Sequence, residues 1–586
     1  MRLMTLVVWL ALCGAGIGLA ACGDDGSGGG DAGTDGGTDT DSDTDTDTDT
    51  DTDTDTDTDT DTDVDTGDDC DTDTGVEPDA GTEEDCPELV MTGDVAIHNQ
   101  DDLGALEGYT EITGNLVITY SAGDSEPFIV DLSALHCLQS VGVDLQILGT
   151  DLSDLAGLGK LVSVGGGLTV TAAPSGMYGH PNSYLTSLDG LSSLTSVGGD
   201  LYIGSGNPVL ADLDGLRELT EIDGGLSIVG NPALTSLGGL VGLTSVGGAL
   251  SIADNTVLPN LCGLVNLIDI GGDLSIGGNA ALKNVEGLSN VTSVGGDLNI
   301  GDNWVLANLD GLSGLTSVGG SLTIGGNLDL VNLDGLSNLT SVGGSLAIGG
   351  NLLLTDLDGL GGITSSVVGD LVISGNANLT NVDGLSGITS VSGNLIIGGD
   401  TFGYEEWAEG NAALTNVDGL TGLASVGGKL VISDNALTNV DGLGNLALSE
   451  TGCLIIRDNT ALTDLDGLNG VTTLHGYTLS SCEWEDAPLT INGNSALTNV
   501  DGLINLLSLI GGGMFGILSI VDNSALANLD GLGSLTSAAD GALYIYDNPD
   551  LPQCEACDLV DQLTDHEPGW FDFHNNQADT CTDTCT

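Results

Sequence analysis

Leu226–Ile252 reads LSIVGNPALTSLGGLVGLTSVGGALSI and opens and closes on the same phrase, Leu-Ser-Ile, 24 residues apart. The phrase hydrophobic-x-Ile/Val recurs from Val95 to Leu543, and between Leu226 and Leu346 the step is always 24. Five residues after the Leu stands an Asn: Asn231, Asn255, Asn279, Asn303, Asn327 and Asn351 in this regular stretch, and Asn376, Asn435, Asn459, Asn494, Asn523 and Asn548 beyond it. One unit is Leu-x-Ile-x-x-Asn-x-x-Leu-x-x-Leu/Val-Asp-Gly-Leu-x-x-Leu-x-x-Val-Gly-Gly. Self-similarity at such a period marks a stack of identical supersecondary units.

Each unit is predicted to be one coil of an all-β solenoid. Leu and Ile two apart share one face of a short strand, and the residue between them faces out. Eighteen parallel strands spaced ~4.8 Å apart would make a rod of roughly 80 Å. The Leu and Val pairs three apart fill the interior. The Asn is expected to stack as a ladder at a bend, bonded to backbone in its own and neighbouring coils. The Gly pairs are expected at corners, through positive φ or close packing. The Asp of Asp-Gly-Leu is expected to cap a turn, its carboxylate taking a backbone N–H.

The pattern resembles the leucine-rich-repeat superfamily, and more closely the receptor L-domain, a right-handed parallel β-helix-like module. Leu226, Ile228 and Asn231 match Leu-x-Leu-x-x-Asn. Two residues rather than one separate Asn231 from Leu234, and Asp223 stands where the common repeat has its first Leu; both departures favour the L-domain coil. The resemblance covers about residues 88–550. It implies a scaffold and says little about a ligand.

The ends divide the chain into 1–22, a signal peptide; 23–85, a tether; 86–552, the solenoid; and 553–586, a Cys-rich cap. Arg2 and the apolar LMTLVVWLALCGAGIGLA precede Leu19-Ala20-Ala21-Cys22, which resembles a bacterial lipobox. The resemblance makes Cys22 the lipidation site. With Gly23 next, it implies an outer-membrane lipoprotein displayed at the cell surface, touching membrane only through its lipid. Asp39–Thr66 alternates Asp and Thr almost without break. Neither face of that alternation is apolar, so the segment is read as a disordered, self-repelling linker. It lacks the Gly and terminal Glu of a calcium loop, and calcium is expected to bind weakly at most.

The formal charge is −81. Residues 86–586 carry 60 acidic groups against Lys160, Arg217, Lys283, Lys429 and Arg457, which excludes nucleic acid as a partner. The acids follow the turn period and the bases are scattered. Without a nucleophile motif or a phosphate loop, no enzyme, metal site or cofactor is expected. The outward strand row (Ser227, Ser251, Ser275, Asn299, Thr323, Ala347) is small and flat, with Tyr202 and Tyr544 as exceptions. Recognition is therefore placed on insertions, with Tyr404, Trp407, Tyr477 and Trp484 as candidate contacts to a protein or glycan. Those side chains could equally fold back over the solenoid. A structural envelope spacer or coat component is the alternative function, and a polysaccharide-acting enzyme stands behind it. An exported chain permits disulfides. Cys86 with Cys137, and Cys554, Cys557, Cys581 and Cys585, are read as cap bridges. Cys453 and Cys482 would bridge an insertion, and Cys262 is read as a buried thiol.

Overall fold

The computed structural model describes residues 86–119, 129–174, 180–399, 409–448, 452–476, 487–511, 516–539, 541–564 and 571–577. Cys22, the 23–85 segment, Tyr404, Trp407, Tyr477, Trp484, Cys482, Cys581 and Cys585 lie outside these residues.

The described chain is a parallel β-solenoid of leucine-rich coils. Its main sheet holds nineteen described strands, beginning at Val95–Ile97 and ending at Phe571–Asp572. Neighbours pair in parallel with the repeat in register: Leu226 lies opposite Leu250, Ser227 opposite Ser251 and Ile228 opposite Ile252. The first strand pairs with the second and the last with the penultimate, so the sheet is an open stack.

A second wall uses the Ser-Val of Leu-Thr-Ser-Val-Gly-Gly. Eleven two-residue strands from Val90–Met91 to Ser341–Val342 form one sheet. It stops where the step lengthens from 24 to 25 residues between Leu346 and Leu371. A single bridge, Val367 to Val391, takes its place in that coil. Two three-stranded sheets continue this wall further along.

The third wall is a row of 3-10 turns on Asp-Gly-Leu, such as Asp310–Leu312. The Asp is not the cap expected of it. The Asp310 N–H donates to Oδ1 of Asn308, two residues earlier, at 3.1 Å, and the same bond recurs from Asp334 to Asn332 and from Asp383 to Asn381. The Asx side chain at the turn's entry therefore holds it.

The interior is one continuous apolar core. In a single coil, Leu298, Ile300, Leu306, Leu309, Leu312, Leu315 and Val318 are all buried. Each such side chain contributes ~1.5–3 kcal/mol on leaving water. The Gly corners work by close approach: a Cβ on Gly319 would meet the Gly295 carbonyl oxygen of the preceding coil. Positive φ belongs instead to the residue before the ladder Asn, which is Gly230, Asp254, Gly278, Asp302, Gly326, Gly350 or Gly375 in successive coils.

The Asn ladder runs unbroken from Asn182 to Asn576 and takes in Asn207 and Asn411, which sit off the five-residue offset. From Asn207 onward each amide also donates to the strand carbonyl of the preceding coil, as Asn303 does to Ile276 at 2.9 Å.

The C-terminal segment extends the same scheme. After the helix Gln553–Gln562, Phe571 and Phe573 take the Leu and Ile places and Asn576 the ladder place. Cys86 and Cys137 form a disulfide. Cys453, Cys554 and Cys557 are also disulfide-bonded. Cys262 is disulfide-bonded too, and half-buried on its turn, which overturns the reading of a buried thiol. Among the described residues no helix is long and apolar enough to cross a membrane.

Candidate functional site

After each ladder Asn the chain makes a two-residue turn, closed by a bond such as Leu306 N–H to the Asn303 carbonyl at 3.1 Å. The two turn residues point away from the core, so the coil itself asks little of them. Most coils fill the first with something small: Pro232, Thr256, Ala280, Ala377, Ala412, Thr460, Ser495 and Ser524. Three consecutive coils do not. Trp304, Leu328 and Leu352 stand in a row, 45%, 38% and 43% exposed. Val305 and Leu353, beside them, are also exposed.

Trp304, Leu328 and Leu352 wall a groove of about 260 Å³. Its floor is the left-handed row of Gly326, Gly350 and Gly375, of which the first two are half-buried and the third is buried. Asp302 stands at one end and Glu409 at the other. Asp302 holds φ at 57° and leans its carboxylate over Gly326, in the space a Cβ there would need. Four coil steps, roughly 19 Å at the strand spacing, separate the coils that carry the two acids. The groove thus offers an aromatic ring, two aliphatic side chains, a flat backbone floor and negative charge at both ends.

None of the expected contact residues is among those lining the groove. Tyr404 and Trp407 precede Glu409 by five and two residues in sequence, outside the described chain. The outward strand row also differs from its reading. Past Ala347 it turns apolar, and Ala347, Val372, Ile396, Val431 and Ile455 are buried together with Cys453. The 400–408 and 477–486 insertions leave the chain within or next to these coils. Trp304, Leu328 and Leu352 were legible only by comparing the coils with one another, as NWVL, NLDL and NLLL against NPAL and NAAL.

Among the described residues, one cluster has metal-ligand chemistry: Cys86, His136 and Cys137, with ligand atoms within 4.8 Å of one another. Its two sulfurs are joined in the disulfide, which leaves no thiolates for a metal. The carboxylates of Asp358 and Asp466 are held above the usual range, first by desolvation and then by neighbouring acids. For Asp358 these are Asp356, Asp383 and Asp334, and for Asp466 they are Asp464, Asp501 and Asp441. Both belong to the turn row, which repeats one acid per coil for structural reasons.

No family model matches this chain, and no curated protein matches it significantly. Among solved structures it is similar to an internalin from Listeria monocytogenes, at 13% identity and a TM-score of 0.25, covering 82% of this chain and 84% of that one. It is similar also to the mouse RP105/MD-1 complex, at 15% identity and a TM-score of 0.27, covering 83% of this chain and 87% of that one. Likenesses of this size carry no argument here, and the fold rests on the register of the coils themselves.

Proposed function

We propose that the chain is a non-catalytic binding module of the cell surface, built on L-domain-type coils and anchored through lipid on Cys22, with 23–85 as its stalk. The observation that carries the reading is the row Trp304, Leu328 and Leu352. Large apolar side chains are kept exposed at three adjoining turns where the other coils manage with Ala, Ser, Thr or Pro. Exposed apolar groups that the scaffold does not need mark an interaction surface. The partner is a protein or a glycan outside the membrane. An acidic chain of this charge repels nucleic acid.

The test is saturable binding of the labelled full chain to cells of the source organism that lack it, with and without calcium. Saturation that an excess of unlabelled chain removes supports the reading. Absence of binding under both conditions overturns it in favour of a structural envelope spacer. That second reading draws on the formal charge of −81 and on the small polar outward row from Ser227 to Thr323.

A further inference from the structure

We propose that Cys262 is joined by a disulfide to Cys70, which makes residues 70–85 a strap along the turn wall of the solenoid. The inference goes beyond the binding-module reading in saying where the anchor takes hold. It rests on that reading in one respect, that the sulfur of Cys22 carries lipid.

Cys262 opens the 3-10 turn Cys262–Leu264, in the place that Asp310 and Asp334 fill in later coils. It is half-buried on that wall and disulfide-bonded. Its partner follows from reach. Cys86 and Cys137 are bonded to each other. Cys453, Cys554 and Cys557 are fixed seven or more turns further along the row. The ~4.4–6.8 Å Cα spacing of a disulfide cannot be met across that distance. Cys482 stands five residues before Ala487, which allows it about 17 Å of chain. Its coil is eight turn steps from Cys262, roughly 38 Å at the strand spacing. Cys581 and Cys585 follow Gln577, which is bonded to Leu551 in the last coil. The eight residues to Cys585 span about 26 Å, against ten turn steps or roughly 48 Å. Cys13 leaves with the signal peptide and Cys22 holds the lipid. Cys70 remains.

Cys70 can make the span. Cys86 is tied to Cys137, just after the turn Ser133–Leu135. From there to Cys262 is five turn steps, roughly 24 Å. Cys70 precedes Cys86 by sixteen residues, which extend to about 53 Å. The compact unit that holds the solenoid begins at Asp69, one residue before Cys70.

The wall also suits an acidic strap. Residues 71–85 carry seven acidic groups and no base. On this stretch Ala156, Gly238 and Cys262 stand where later turns hold Asp. Three of the five bases of 86–586, Lys160, Arg217 and Lys283, lie on it or one coil past it. Nζ of Lys160 is 3.4 Å from the Cys86 sulfur, where the strap begins. Arg217 bridges Asp214, and both lysines are already partnered. Their weight here is the field they set up along the wall.

In forming the bond, the two thiols lose two protons and pass two electrons to a protein disulfide of the export compartment, which becomes a dithiol. The stalk then shortens to 23–69, about 155 Å of contour, and the pull of the anchor enters at the Cys262 turn instead of at Cys86.

The experiment uses the full chain, exported through its own signal by a diderm bacterium. It is blocked with N-ethylmaleimide without reductant, cut at Asp and Glu, and mapped by mass spectrometry. The inference expects a linked pair of fragments carrying Cys70 and Cys262. In Cys70→Ser, which changes no residue of the solenoid, that pair should vanish and Cys262 should be recovered blocked; circular dichroism checks the fold. Lipid on Cys22 is read from the mass of the N-terminal fragment in the same digest. Cys262 linked to Cys482, Cys581 or Cys585, or blocked in the wild type, overturns the strap and leaves the lipid-anchored binding module standing. Cys262 linked to Cys22 overturns the strap and the lipid anchor together.

Discussion

Asn303 gives both its backbone N–H and its side-chain amide to a single oxygen, Oδ1 of Asn327, at 3.2 Å each. Asn327 in turn donates to the Ile300 carbonyl at 2.9 Å and to Asn351. Neither side chain is exposed to water. Removing one oxygen therefore orphans two buried donors in the coil before it. Asn327→Ala is expected to cost about 2–6 kcal/mol, at the 1–3 kcal/mol usual for each such group. Urea unfolding followed by circular dichroism measures it. A midpoint unchanged from wild type would mean that water replaces the ladder.

The glycine of Asp-Gly-Leu makes a sharper prediction than its sequence suggests. A Cβ on Gly335 would sit 1.8 Å from the Leu309 carbonyl oxygen of the preceding coil, although the position has no positive φ. Gly361, one turn on in the next coil, meets only its own turn's Asp358 oxygen, at 3.2 Å. Gly335→Ala should destabilise by more than the ~1–3 kcal/mol typical of overpacking, because backbone rather than a side chain must move. Gly361→Ala should stay within about 1 kcal/mol of wild type. Comparable melting temperatures for the two variants would refute the close-approach account.

Acid should stabilise the turn row. Desolvation and neighbouring acids raise the Asp358 and Asp466 carboxylates above 3.8 in the folded chain. The folded state then binds these protons more readily than the unfolded state does. Stability rises as pH falls through the folded values toward 3.8, and is lower at neutral pH, where both states are ionised. The melting temperature is expected to climb on acidification from neutral pH into that window, and Asp358→Asn to capture part of the gain at pH 7. Added salt should narrow the difference by screening. A melting temperature that falls steadily over the same range would contradict the sign.

The C-terminal coil titrates by the opposite route. Nδ1 of His574 lies 2.5 Å from the Asp572 carboxylate, and its ring stacks on Tyr546 at 4.6 Å. The hydrogen bond to Asp572 raises the imidazole above 6.5. The contribution is complete below 6.5 and is lost as pH rises through the folded value. Hydrogen exchange at the Asp547 amide, which donates to the His574 carbonyl at 3.0 Å, should therefore quicken above that value beyond the intrinsic pH trend. In His574→Gln the extra quickening should vanish.

Much of this molecule was legible because one instruction is written many times. The Leu, Ile and Asn offsets repeat with so little drift that period alone predicts parallel strands, an apolar interior and an Asn ladder. What escaped lay where the instruction was reworded. Phe571, Phe573 and Asn576 keep the spacing but replace the aliphatic pair, so the last strand did not register. Asn207 and Asn411 are displaced by an extra residue and by an insertion, yet hydrogen bonding draws them into line. The Ser-Val strands are too short to show a period-two pattern. Trp304 escaped for another reason: recognition was sought in irregular loops, and the groove is built on regular coils.

The ladder also gives the stack a grammar. Each Asn receives from the coil before it and donates to the coil after it, and between Leu226 and Leu346 every coil presents the same groups to both neighbours. A stretch of 24 residues duplicated or deleted there creates no new kind of junction. Such a protein can grow or shrink between generations in whole units, like a word lengthened by repeating a syllable, with its two ends and their closures carried along intact.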